Sequence, residues 1–213
     1  MRERLEATPA FFYELEARVK FNRQRLLGLV GLVGFLLGLY GLWTYLKQRY
    51  SFEAPPIYSS VARFERDGVP MIQAKDVLDR DFDLLARTEP LVIVNFWASW
   101  CAPCVEEFPS MLKLIKQMKG RVLVVAVSMD DEEKDLRAFL KIFKVPQPGF
   151  EVIWDRDKSI GRSYDVGKLP ETFIVGADRK LRRKVLGIED WASPNAVAYF
   201  ESLIAQSATP PPQ

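Results

Sequence analysis

Two apolar, β-branched runs in the middle of the chain, residues 91–97 and 122–127, have the length and composition of buried strands. Between them, apolar side chains recur at helical spacing and predict a helix over residues 105–119. A strand, a helix and a strand in this order predict a right-handed crossover and a parallel sheet. Similar patterns further along predict helices over 131–143, 157–164 and 191–205 and strands over 152–154 and 181–186.

The residues before this sheet contain a turn signal, Asp67-Gly68, between two short apolar segments. Segments 61–64 and 69–72 therefore predict a β-hairpin, and residues 76–86 predict a helix. Residues 207–213 contain three consecutive prolines and predict a disordered tail.

The longest uncharged segment is the 21-residue run from Leu26 to Leu46. A helix of this length reaches about 31 Å, which is enough to cross one bilayer. Trp43 and Tyr45 mark one interface and basic residues mark the other. A cleavable signal peptide would have a shorter apolar region and a small-residue cleavage site, and a soluble core helix would carry a polar face. We therefore predict a transmembrane helix over 26–46 and a linker over 47–56.

The basic residues around this helix predict its orientation, since the positive-inside rule places the more basic flank in the cytoplasm. Residues 1–25 fit either an amphipathic helix on the membrane surface, starting at Thr8-Pro9, or a solvated lead-in. We expect a single-pass protein of the cell inner membrane, with a cytoplasmic N-terminus and a periplasmic α/β domain. Four basic residues precede the helix (Arg18, Lys20, Arg23 and Arg25) and two follow it (Lys47 and Arg49).

Charge and composition exclude several classes of function. Residues 1–25 carry six of the 30 basic and four of the 28 acidic side chains, and residues 26–46 carry none, which leaves 24 of each sign elsewhere. A neutral domain gives no electrostatic reason to expect nucleic acid as a partner. The chain has no histidine, which excludes His catalysis, His-ligated haem and His-containing zinc sites. The basic run 179–184 is expected to be a solvated hairpin rim.

The candidate chemistry lies in Cys101-Ala-Pro-Cys104, which holds the two cysteines of the chain. They follow the first strand and open the helix, where free backbone N–H groups and the helix dipole favour a thiolate. We expect Cys101 to face solvent and attack a disulfide, and Cys104 to be shielded and to resolve the mixed disulfide. The alternatives are a static disulfide and half a metal site, although zinc needs four ligands and there is no third cysteine. We expect no cofactor besides the redox-active disulfide.

The stretch Asn95–Cys104, followed by Glu107-Phe108-Pro109, resembles the TlpA/ResA/CcmG group of membrane-anchored thiol–disulfide oxidoreductases. The resemblance covers residues 57–206 and implies a thioredoxin-like α/β fold, with a central mixed sheet, flanking helices and an N-terminal hairpin addition. It also implies a reductant of extracytoplasmic protein disulfides, such as those of apocytochrome c, that draws electrons from a membrane dithiol donor. A general periplasmic reductase or isomerase and a tethered assembly module with a static disulfide are the alternatives, and a peroxidase is disfavoured.

The resemblance also assigns residues to a substrate-binding loop. Residues 167–175 resemble the family's cis-proline loop entering an edge strand, which makes Pro170 the cis proline. The backbone of Leu169 would pair with an extended substrate segment. Trp100 is expected to offer the substrate a contact face.

One residue of this stretch departs from thioredoxin itself. Asn95 stands where thioredoxin has a buried aspartate, and an amide cannot take a proton. Glu107, three residues after Cys104, matches the group's glutamate and is predicted to accept the Cys104 proton, with a pKa raised by partial burial. The alternative is an ordinary surface glutamate.

Overall fold

The computed structural model describes residues 9–49 and 56–208. Its contacts divide the chain into two units, residues 1–53 and 54–213.

The first unit contains one helix, α1 (Pro9–Arg49), of 41 residues. Its backbone is helical without a break at residue 25. The segment Arg25–Leu46 has a mean hydropathy of 2.1, and none of it is buried within the protein, so by length and composition it can cross a membrane. The predicted helix start at Thr8 and most of the predicted linker and tail lie outside the described residues.

The second unit is built on a five-stranded mixed sheet, whose strands lie in the order β5 (Phe150–Trp154), β4 (Val122–Ser128), β3 (Leu91–Trp97), β6 (Glu171–Gly176) and β7 (Leu181–Leu186). Strand β4 runs parallel to β3 and β5, whereas β6 runs antiparallel to β3 and β7. The predicted mixed sheet is thus confirmed. In chain order the elements are α2 (Pro56–Asp67), β1 (Gln73–Lys75), β2 (Asp81–Asp83), a 3-10 turn (Leu84–Ala86), β3 (Leu91–Trp97), α3 (Ala102–Met118), β4 (Val122–Ser128), α4 (Glu133–Phe143), β5 (Phe150–Trp154), α5 (Ser159–Ser163), β6 (Glu171–Gly176), β7 (Leu181–Leu186) and α6 (Pro194–Ala208).

The central strand β3 is buried along its whole length, as its continuous apolar sequence predicts. Leu91, Ile93 and Trp97 point into a core shared with α3, α4 and α6. The alternate residues pack on the other face with α2, β2 and Tyr164. Because side chains alternate along a strand, β3 supports both layers of helices and fixes the position of the Cys101 loop at its end.

The predicted hairpin over 61–72 is wrong, because helix α2 occupies its first half. Gly68 has φ +100, and its N–H donates to the carbonyl of Phe64 at 3.2 Å, so Asp67-Gly68 ends a helix instead of turning a hairpin. Phe64 is 1% exposed and packs on the sheet. Burial of this helical face therefore outweighs the local turn signal.

The hairpin addition lies further along, where β1 pairs with β2. The predicted helix over 76–86 is wrong. The carboxylate of Asp76 accepts the backbone N–H groups of Leu78 and Arg80, both at 2.9 Å, and so forms a turn between the two strands. These local hydrogen bonds from the backbone to Asp76 stabilise a turn here instead of the helix that the sequence pattern predicts.

The strand after Pro170 also differs from its prediction. Strand β6 is paired on both sides, by β3 and β7, and is therefore not an edge strand. The closing strand β7 takes the edge position instead, which buries β6 completely.

Candidate active site

Cys101 and Cys104 form a disulfide at the N-terminus of α3, with an S–S distance of 2.03 Å. Cys101 is the N-cap residue, and its carbonyl accepts the N–H of Val105 at 3.1 Å. Pro103 occupies the first turn, where its missing N–H has no partner to lose. The two cysteines thus stand at the predicted strand-to-helix junction, next to the free N–H groups of the helix.

Both cysteines are buried in this disulfide form, Cys101 at 6% exposed and Cys104 at 1%. The expected order of exposure is correct, but the expectation that Cys101 faces solvent is wrong. Cys101 lies in the wall of a groove rather than on the open surface. A partner can approach Cys101 through that groove.

The groove beside Cys101 has a volume of about 510 Å³. Three parts of the chain line it: the Trp100, Cys101 and Pro103 side of the helix start, Met129, and the segment Val166–Leu169. Trp100 is 66% exposed and forms one side of the opening. The fold thus brings the predicted substrate contacts Trp100 and Leu169 to the same groove as Cys101.

The peptide bond between Leu169 and Pro170 is cis, as the resemblance predicts. Pro170 itself is buried behind the groove, whose lining ends at Leu169. Leu169 thus lines the groove, whereas Pro170 does not.

Glu107 lies on α3 one turn after Cys104 and is 2% exposed. Its Oε1 accepts the side-chain amide of Asn95 at 3.0 Å, and its Oε2 accepts the indole N–H of Trp191 at 3.1 Å. The backbone N–H of Glu189 donates to Oε2 at 3.3 Å. This burial rules out the surface glutamate considered as the alternative.

Burial raises the pKa of Glu107 from 4.5 to about 7. The hydrogen bonds from Trp191 and Asn95 act in the opposite direction, because they stabilise the carboxylate. The predicted direction of this pKa shift is confirmed. A carboxyl group with such a pKa can take up and release a proton near neutral pH.

Asn95 connects Glu107 to the strand that follows the cis proline. Its side-chain amide also donates to Thr172 Oγ1 at 2.9 Å. Asn95 and Thr172 are direct partners in the pairing of β3 with β6. The amide thus orients the carboxyl group, although it takes no proton itself.

A buried carboxylate that sequence reasoning missed holds the loop before Cys101. Asp130 is 1% exposed, and its carboxylate accepts the backbone N–H of Ser99 at 3.0 Å and the hydroxyls of Ser99 and Ser128, each at 2.7 Å. Ser99 directly precedes Trp100. A sequence signal existed, since Ser99 follows β3 and Asp130 follows β4, and parallel neighbouring strands end at the same edge of a sheet.

The mixed sheet, the cysteine pair at a helix N-terminus and the adjacent cis-proline loop define a thioredoxin-fold protein. The model of the AhpC/TSA family matches residues 66–184, more than half of the chain, and the chain belongs to this family.

The chain also resembles thiol–disulfide oxidoreductases, as predicted. It is 36% identical to thiol-disulfide oxidoreductase ResA of Bacillus subtilis (strain 168) over 97 residues, which cover 45% of this chain and 52% of that protein. It is 39% identical to thioredoxin-like protein YneN of the same organism over 87 residues, which cover 39% and 49%. The chain thus spans about half the length of the curated relatives it matches.

One solved structure covers more of the fold. A protein assigned as the thiol:disulfide interchange protein DsbE from Chlorobium tepidum superimposes with a TM-score of 0.55 at 29% identity. The superposition covers 66% of this chain and 95% of that one.

Proposed function

We propose that this protein is a membrane-tethered thiol–disulfide oxidoreductase that reduces disulfides of extracytoplasmic proteins. The observation that carries the proposal is the position of the Cys101–Cys104 pair, which caps α3 and borders a groove closed by the cis-proline loop. A static disulfide has no need of a groove beside it. The likeness to ResA and DsbE supports the same reaction.

In the reaction, the thiolate of Cys101 attacks one sulfur of a substrate disulfide. The substrate S–S bond breaks, its other sulfur leaves as a thiolate, and a mixed disulfide forms with Cys101. Cys104 then loses its proton and attacks the Cys101 sulfur, which releases the second substrate thiolate. The substrate gains two electrons, and the protein is left with the Cys101–Cys104 disulfide.

Glu107 is proposed to accept the Cys104 proton in the second step. Residues three apart on a helix lie side by side, with Cβ atoms about 5–6 Å apart, so Glu107 and Cys104 are neighbours on α3. A pKa of about 7 leaves much of the group ionised at neutral pH and yet able to hold a proton.

The proposed location of the reaction follows from the anchor, and its proposed direction follows from the resemblance to the TlpA/ResA/CcmG group. With the N-terminus in the cytoplasm, helix α1 would hold the domain in an oxidising compartment. Continued reduction there needs a two-electron supply, for which we propose a membrane dithiol donor. Cysteine pairs of apocytochrome c, which must be free for haem attachment, are the proposed substrate, as the resemblance to the TlpA/ResA/CcmG group implies.

The variant Cys104→Ser tests the reaction in native membranes. It should accumulate mixed disulfides at Cys101 that dithiothreitol releases, and Cys101→Ser/Cys104→Ser should accumulate none. No captured partner, together with a reduction potential below about −300 mV, would instead indicate a static disulfide.

A reporter that is active only outside the cytoplasm, fused after Gln213, tests the location. The fusion should be active, and reversing the charges around the membrane helix should silence it. An inactive fusion of the unaltered chain would refute the periplasmic assignment.

A further inference from the structure

The loop opposite Cys101 is held from behind by a buried carboxylate. Glu171 directly follows Pro170 and is 2% exposed. Its Oε1 accepts the backbone N–H groups of Gly167 and Lys168, each at 3.2 Å. These two residues line the groove. Glu171 therefore ties down the backbone that forms one wall of the groove.

The other oxygen of Glu171 faces a buried ammonium group. The Nζ of Lys184 lies 2.9 Å from Glu171 Oε2, and the Lys184 side chain is 6% exposed. The same Nζ lies 4.9 Å from the ring centroid of Phe173. The expectation of a solvated basic rim is thus wrong for Lys184. Burial of a carboxylate is costly without a partner of opposite charge, and Lys184 supplies that partner for Glu171.

The loop has a second connection to the same edge of the sheet. The carbonyl of Pro170 accepts the N–H of Gly187, which directly follows β7, at 2.9 Å. Lys184 lies within β7 itself. Strand β7 and the residue after it therefore support the loop, through the Lys184–Glu171 ion pair and through the backbone of Gly187.

We propose that Glu171, paired with Lys184, is a positioning residue that keeps the Gly167–Leu169 backbone in the shape that receives an extended polypeptide. This inference rests on the proposed function. A polypeptide disulfide needs the loop as well as Cys101. A small aromatic disulfide reaches Cys101 without pairing to the loop, so its reaction is independent of Glu171.

Two double variants, each with uncharged residues at positions 171 and 184, separate an effect on the loop backbone from an effect on the stability of the fold. In Glu171→Gln/Lys184→Met, the amide oxygen still accepts the N–H groups of Gly167 and Lys168. In Glu171→Leu/Lys184→Met, the acceptor is lost, and apolar replacement of a buried ion pair is often neutral for stability. The matched control is Arg183→Met, which removes an exposed charge from the same strand.

The measurement is single-turnover reduction by the pre-reduced, full-length protein in detergent. The substrates are a synthetic peptide with a Cys-X-X-Cys disulfide and 5,5′-dithiobis(2-nitrobenzoate). The variant Glu171→Leu/Lys184→Met should need about tenfold more peptide for half-saturation. The variant Glu171→Gln/Lys184→Met and the control should stay within about twofold of the wild type. All variants should react with the small disulfide at the wild-type rate.

Equal half-saturation in the two double variants would overturn the inference, as would equal slowing with both substrates. A wild-type protein that reduces neither disulfide would contradict the proposed function instead. Hydrogen exchange of the unaltered chain gives a test that needs no variant. The amides of Gly167 and Lys168 should be protected, and free exchange of both would refute the role of Glu171.

Discussion

The indole N–H of Trp191 donates a hydrogen bond of 3.1 Å to Glu107 Oε2, between residues 84 positions apart. This bond joins the turn before α6 to α3, the helix that contains Cys104 and begins after Cys101. Within residues 56–208, no cationic side chain forms an ion pair with Glu107. Hydrogen bonds alone stabilise its charge, and burial therefore keeps the pKa raised.

The stability of the oxidised protein is expected to fall as the pH rises from about 5 to 7. The Glu107 carboxyl ionises near 4.5 when unfolded and near 7 when folded, so the unfolded state binds fewer protons between these values. The full shift corresponds to about 3 kcal/mol. Glu107→Gln should remove this dependence and be more stable than the wild type at pH 8 by roughly 1–3 kcal/mol.

Urea denaturation of the full-length chain in detergent at pH 5 and pH 8 measures this difference. Glu106→Gln, an exposed neighbour on the same helix, is the control and should follow the wild type. A Glu107→Gln variant that loses stability between the two pH values as the wild type does would contradict the assignment.

Closure of the Cys101–Cys104 bond from a preformed mixed disulfide should speed up as the pH passes about 7, because the ionised Glu107 takes the proton. Glu107→Gln should slow this step by about 10²–10⁴-fold and remove the inflection. Stopped-flow release of a labelled thiol from Cys101 measures the rate. An unaltered pH profile in Glu107→Gln, or a lost inflection in Glu106→Gln, would show that Glu107 is not the acceptor.

Trp191→Phe should move the inflection in the pH profile of Cys101–Cys104 bond closure to higher pH by about half a unit to one unit. The change removes one donor to the carboxylate, which is worth about 1 kcal/mol, and keeps an aromatic ring in the core. Trp154→Phe is the matched control, since its indole N–H donates to the carbonyl of Asp130 and not to Glu107. An inflection that stays in place in Trp191→Phe would show that this bond does not tune Glu107.

Asp130→Ala should lower the free energy of unfolding by about 2–4 kcal/mol, because the N–H of Ser99 and the hydroxyl of Ser128 lose their buried acceptor. Its neighbour Asp131 is 85% exposed in its side chain and pairs with Lys158 at 3.3 Å, so Asp131→Ala should cost under about 0.5 kcal/mol. Thermal unfolding compares the two variants. Similar losses would mean that the Asp130 network does not stabilise the loop.

Several elements were predictable from local pattern alone. Strands β3 and β4 are continuous apolar runs, and α3 has apolar residues at a regular spacing, so each carries its own signal. Because Cys101 lies between the end of β3 and the start of α3 in the sequence, its location at this junction was predictable as well. The membrane-length helix was equally visible, because length and lack of charge are properties of the sequence.

Elements whose local signal fits two structures could not be assigned in this way. Asp67-Gly68 can turn a hairpin or end a helix, since both need a glycine with positive φ. Packing of Phe64 on the sheet selects the helix. Asp76 likewise begins a turn because its carboxylate caps two nearby N–H groups.

The environment of the site depends on residues that are far apart in the chain. Spacing along α3 and the resemblance to the TlpA/ResA/CcmG group were enough to propose Glu107, but its donors come from a central strand and from the turn before the last helix. Lys184 was expected to lie on a solvated rim, but it forms a buried pair with Glu171. Desolvation and hydrogen bonding set the chemistry of such groups, and both arise only when the chain has packed distant segments around them.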